Sequence, residues 1–170
     1  MRAVLPSIVA LLLLGCAQKP VAPPAPPPPP FVEASVPTAP ICAKPAEMAA
    51  FNMAATKVRF YVLARNCHHI DAYNAFITKN RPLLGTYEKT LIGYFTRAKI
   101  KGGAQRAKDD YDTNMANAQS QRYSYDSTSE CKGAESYFAE LAAAKNTIEL
   151  EATTAALAVS QPMKLAYCPA

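Results

Sequence analysis

The chain of 170 residues has no tryptophan, only six glycines and only 18% charged residues. That balance excludes collagen-like repeats and a charge-rich disordered chain. No apolar run is long enough to suggest several bilayer crossings, which excludes a multi-span membrane protein. No stretch of four to eight residues alternates apolar with polar, so no sheet is expected. Catalytic signatures are missing too. There is no Gly-x-Ser-x-Gly, Gly102-Gly103 lacks the other elements of a phosphate-binding loop, and no CxxC pair exists.

What is present is half hydrophobic, rich in alanine and carries a formal charge of +5. Proline is concentrated: eleven of the fifteen lie between Pro20 and Pro45. Setting that stretch and the leader aside leaves residues 45–170, enough for one hydrophobic core. Met1 to Gly15 pairs an early positive charge, Arg2, with an apolar run from Val4 to Leu14. The run is shorter than the roughly 20 residues of a bilayer span, and the pattern is that of a secretory signal. Its last residues, Leu13-Leu14-Gly15-Cys16, resemble the lipobox of bacterial lipoproteins. The resemblance implies cleavage before Cys16 and lipid on its thiol, with several acyl chains giving a stable anchor. Ala17, where an Asp would signal retention in the inner membrane, implies sorting to the outer membrane. Residues 16–44 then form the lipid-anchored tether. Its prolines fix φ and favour polyproline II, so Lys19 to Pro30 would reach about 35–40 Å.

From Pro45 onward the apolar spacing is helical. Met48, Phe51, Ala55, Val58 and Val62 place a first helix at 45–66. Ile70, Tyr73, Ile77, Leu84, Leu91, Phe95 and Ala98 mark a second, with a kink or brief break expected near Asn80 because of Pro82. Ala104, Ala107, Tyr111, Met115 and Ala118 mark a weaker third, followed by an expected polar loop from Ser120 to Ser129. A capping box over Ser127–Glu130 opens a fourth helix, whose face is Cys131, Ala134, Phe138, Leu141, Ile148, Ala152 and Ala155. The expected fold is all-α: an antiparallel up-down bundle of about four helices on a Pro-rich tether.

Apart from Cys16, the cysteines are Cys42, Cys67, Cys131 and Cys168, an even count that in an exported protein suggests disulfides. A continuous helix over 45–66 would hold Cys42 and Cys67 about 30 Å apart, too far to bond. In an up-down bundle, Cys67 and Cys131 open helices at one end, and Cys42 and Cys168 flank the other. The expected bonds are therefore Cys67–Cys131 and Cys42–Cys168.

The only cluster of metal-ligand residue types is Cys67-His68-His69-Ile70-Asp71. Adjacent histidines diverge by about 100° on a helix, and the chain has no other. Neither a metal nor a cofactor is expected. The methionines read as core, and the carboxylate pairs Asp109-Asp110 and Glu149-x-Glu151 as helix surface. Charge is uneven: residues 57–108 hold eleven Lys/Arg against Asp71 and Glu88, whereas 109–151 hold three against nine acids. Arg97, Lys99, Lys101, Arg106 and Lys108 form a basic stretch around the glycine pair. It reads either as helix-dipole and i,i+4 complementarity or as a patch for an anionic partner such as lipopolysaccharide or cell-wall carboxylates. Nucleic acid is not an expected partner in this compartment.

Cys67 followed by Asp71-Ala72-Tyr73-Asn74-Ala75-Phe76, then Tyr94-Phe95 and Tyr111-Asp112 to Asn117, resembles a group of small exported helical proteins of Gram-negative bacteria with no assigned activity. The resemblance covers roughly 45–150. It implies the helical fold and the Cys67–Cys131 bond and brings no catalytic residue. The expectation is a non-enzymatic binding or scaffolding module, on the periplasmic face of the outer membrane. The alternative is an inhibitor or immunity-type protein acting on a cell-wall-degrading enzyme.

Overall fold

The computed structural model describes residues 37–157 and 161–169; the expected leader, Cys16 and the tether up to residue 36 lie outside them. Five helices make up the described chain: α1 (Pro45–Asn66), α2 (Ile70–Arg97), α3 (Ala104–Tyr125), α4 (Ser127–Ala143) and α5 (Thr147–Ala156). Among the described residues there is no named strand. No helix there is long and apolar enough to cross a membrane.

α1 packs against all four other helices. Pro45 begins it where a missing N–H is tolerated, and Glu47 Oε2 accepts the Lys44 N–H at 2.7 Å. Two aromatic clusters are built around this helix. Near its start, Phe51 meets Tyr94 at 4.8 Å and Tyr111 at 5.2 Å between ring centroids. Towards its end, Phe60 meets Phe138 at 4.3 Å, Phe76 at 5.2 Å and Tyr73 at 5.7 Å. α1 closes with a Schellman-type turn: His68 takes φ 64°, and the His69 N–H reaches Ala64 O at 2.8 Å.

Two local expectations need correction, and of the kink or break expected near Asn80 the break is absent. α2 runs without a break through Pro82, which lies exposed between the buried Phe76 and Tyr87. Burial of Phe76, Tyr87, Leu91, Tyr94 and Phe95 outweighs the lost backbone bond. The polar stretch expected as a loop continues α3 to Tyr125; neither glycine nor proline interrupts it, and only Lys108, Tyr111, Met115 and Gln119 on one narrow stripe are buried. The cap of α4 is Asp126 rather than Ser127 or Ser129, its Oδ1 accepting the Ser129 N–H at 3.0 Å.

The expected fourth helix is two helices, making five. Asn146 caps α5 by accepting the Glu149 N–H at 3.0 Å, while Glu149 Oε2 returns to the Lys145 N–H at 2.9 Å. The break shifts the helical phase. Ile148, expected on the core face, is 79% exposed, and Leu150 and Thr154 are buried instead.

Residues 37–44, read from the sequence as the end of the tether, lie parallel to the C-terminal tail. Lys164 N–H reaches Pro37 O at 2.8 Å, Ala43 N–H reaches Ala166 O at 2.8 Å, and Cys168 N–H reaches Ala43 O at 3.0 Å. The Cys42–Cys168 bond locks this pairing, with Cα atoms 4.8 Å apart. At the turn after α1, Cys67–Cys131 joins the starts of α2 and α4, with Cα atoms 5.4 Å apart. Both expected pairings are present.

The Cys67–Cys131 bond closes a loop with a sequence separation of 64. Replacing both residues with Ala should cost about 4 kcal/mol on the chain-entropy model, read from urea denaturation under oxidising conditions. A loss below about 1 kcal/mol would mean that the bond restrains little.

Candidate functional site

The site is an apolar groove between α2 and the α4–α5 pair. On α2, Ala72, Ala75, Phe76, Lys79 and Asn80 form one wall; Phe138, Leu141 and Ala142 of α4 form the other, and Phe60 of α1 completes the lining. The alanines are too short to fill the space between the helices, and a compartment of about 220 Å³ remains. A second compartment of about 300 Å³ continues past the end of α4, where Pro82, Leu83, Ala144–Thr147 and Leu150 line it. Lys79, Asn80 and Leu141 belong to both.

The break between α4 and α5 creates this second compartment. A helix end leaves carbonyls without intrahelical partners. Lys79 Nζ donates to one of them, Ala144 O, at 3.1 Å. That contact by itself is a structural one, a cation on the negative end of a helix dipole. It also holds the exposed Lys79 at the junction of the two compartments, both of which this residue lines. The lining residues include two lysines, Lys79 and Lys145, and no Asp or Glu; the Glu149 carboxylate stands next to them, accepting from the Lys145 N–H and from Asn146.

The basic stretch read from the sequence does not form one surface. Arg97 points to the segment before α1: Nη2 donates to Cys42 O at 2.8 Å, and the guanidinium pairs with both oxygens of Glu47. It also lies 5.6 Å from the Tyr94 ring. Lys108 is buried and paired with Glu88 and Asp112, each at 2.9 Å. Lys99, Lys101 and Arg106 are the exposed members. Lys99 serves the turn after α2, with φ 52°, and Arg106 lies 3.9 Å from Asp110.

Electrostatics matches this geometry. Burial works to raise the Glu47 carboxyl, but hydrogen bonds from Arg97 and the Lys44 N–H, with their charges, outweigh it and hold it below its ordinary value. The hydrogen bond from Lys108 likewise lowers Glu88 despite some burial. Lys108 itself is raised, because bonds to Glu88 and Asp112 overcome the desolvation that acts against its charge.

The two histidines belong to the α1–α2 turn. His68 supplies the left-handed residue, and the His69 ring stands edge-on to Phe138 at 5.1 Å. Among the described residues no group of three or more His, Cys, Asp and Glu is placed to hold a metal ion. Sequence reasoning missed Lys79 and the groove. Asn146-Thr147-Ile148-Glu149 was the available signal, since a capping pair there announces a new helix start. The chain matches no family model, no curated protein and no solved structure.

Two outcomes follow from these ion pairs. Lys108→Ala should destabilise the domain by about 1–2 kcal/mol, between the values for exposed and buried pairs, whereas Lys99→Ala and Lys101→Ala should stay within about 0.5 kcal/mol. Equal effects in urea titrations would contradict the assigned roles. For Glu47, a folded-state pKa below the unfolded 4.5 means a contribution that is full above that pH and lost as pH falls through the folded value. Glu47→Gln should therefore be less stable than the parent at neutral pH, and its stability should fall less steeply between about pH 4.5 and pH 3.

Proposed function

We propose that this chain is a lipid-anchored protein of the bacterial cell envelope, held through Cys16 to the periplasmic face of the outer membrane. Its helical domain is a non-enzymatic module that binds or scaffolds an envelope partner. The apolar groove between α2 and α4–α5 carries the binding part of this reading. Small-molecule sites are typically concave, mostly apolar and equipped with a few polar groups that orient the ligand. Leu13-Leu14-Gly15-Cys16 supports the anchor, and Ala17 supports the outer membrane as its destination. Two disulfides favour an oxidising compartment over the cytosol.

The domain is, on this reading, an up-down antiparallel bundle whose fourth element is the broken α4–α5 pair. Support comes from which ends meet: Phe51 near the start of α1 touches Tyr94 and Phe95 near the end of α2, while Phe60 touches Tyr73 and Phe76 near its start. Arg59 of α1 reaches Gln119 of α3, and Cys67 bonds Cys131 at the start of α4. Lys99, Lys101 and Arg106 remain as the candidate contact for an anionic partner, lipopolysaccharide or cell-wall carboxylates.

Anchoring is tested directly. Cys16→Ser should abolish incorporation of labelled fatty acid and move the protein out of the membrane fraction, or leave it unprocessed. Unchanged labelling and fractionation would overturn the lipid anchor.

A further inference from the structure

We propose that the break between α4 and α5 is a hinge, and that the segment exchanges between its bent form and a straight one in which the two are a single helix. No glycine or proline lies between Ala134 and Gln161. The stop falls on Ala144 and Lys145, both good helix formers, yet Ala144 leaves the helix with ψ 120°. Contacts from outside the segment hold the bend. Lys79 of α2 donates to Ala144 O, Tyr87 of α2 donates to Glu151, and Leu150 and Thr154 are buried. The local signal for a stop is the cap made by Asn146 and Glu149, and its bonds form only once the chain has bent.

The two forms bury different faces of α5. Bent, it covers Leu150 and Thr154 and leaves Ile148 79% exposed, with Ala152 and Ala155 exposed on the same side. Straight, Ile148, Ala152 and Ala155 continue at helical spacing the face by which Phe138 and Leu141 enter the core. One large aliphatic side chain is traded for another, Leu150 for Ile148. The last carbonyls of α4 and the first N–H groups of α5 trade their caps for each other. The two states are therefore similar in what they bury and bond, as a two-state element requires. Ala144–Thr147 line the second compartment, so a chain running straight past Ala144 has no bend for that compartment to occupy. A ligand reaching beyond Leu141 would select the bent form. That consequence rests on the groove being the binding site of the module; the hinge itself does not.

Chemical-exchange saturation transfer NMR on the full-length protein in detergent micelles, without ligand, reads the hinge. The expected result is a minor state of about 0.1–10% in which the Cα shifts of Ala144 and Lys145 are helical. Asn146→Ala removes a cap that only the bent form uses and should raise the minor population about fivefold. Thr147→Pro should abolish the minor state and leave the melting temperature unchanged or higher. Proline suits the first position of α5, and Asn146 before it is already extended at φ −146° and ψ 173°. Inside a continuous helix the same ring would clash with the preceding turn. General loosening of the fold would shift both variants the same way, whereas the hinge requires opposite shifts. Should Thr147→Pro fail to fold, the helical shifts and population in Asn146→Ala decide alone. No minor state in either the parent or Asn146→Ala would overturn the hinge. So would a minor state with unfolded shifts at Ala144 and Lys145, or one that survives Thr147→Pro. Because no ligand is present, failure of the groove as a binding site leaves these readings untouched.

Discussion

Burial of α1 on nearly every side is the constraint that organises this fold. Twelve of its 22 residues are buried, and its stripe is therefore not the half-face of an ordinary surface helix. A helix so enclosed needs small residues where neighbours approach and large ones where they must be spaced. Ala50, Ala54, Ala55 and Ala64 do the first, and Phe51 and Phe60 do the second. α2 is set by both phenylalanines, α3 by Phe51, and α4 by Phe60. The enclosure has a cost. The buried Thr56 hydroxyl has no hydrogen-bond partner among the described residues, although its carbonyl accepts from Tyr137 at 3.1 Å.

The groove is the complement of that packing. Alanine serves two opposite purposes in this chain. Inside α1 it draws helices together, and on the facing sides of α2 and α4 it leaves them apart. The stop at Ala143 then turns a gap into two compartments, since the chain must leave the helical path before Asn146 restarts it. Lys79 bridges the discontinuity from the opposite wall.

Much of the scaffold was legible in the sequence because it rests on periodicity and length. The spacing from Met48 to Val62 located α1, and the length of that helix forbade a Cys42–Cys67 bond; of the two pairings left, the expected up-down order of the helices selected the one that is present. What was not legible depends on partners distant in sequence or on groups without side-chain pattern. The parallel pairing of 37–44 with the tail is made by backbone hydrogen bonds, which impose little on residue type. Arg97 looked like a free surface cation because its partner Glu47 lies 50 positions upstream. Lys108 likewise hides behind Glu88, 20 positions away. The polar end of α3, from Ser120 to Tyr125, looked like a loop because composition alone cannot tell a solvated helix from a turn. The groove was invisible for a simpler reason: an alanine that packs and an alanine that leaves room are the same letter.

The arrangement around Cys42 has a mechanical consequence. A pull applied at Pro37 along the direction of residues 37–43 would meet backbone hydrogen bonds that run across it, so several would be sheared together instead of being unzipped singly. Behind them stands a covalent bond to Cys168, and alongside it Arg97 and Tyr94 grip the carbonyls of Cys42 and Ile41. Force is therefore shared between the two ends of the folded chain before it reaches the first turn of α1. In an oxidising compartment the domain takes strain through a covalent lock; once reduced, the same path would hold only as firmly as a few hydrogen bonds.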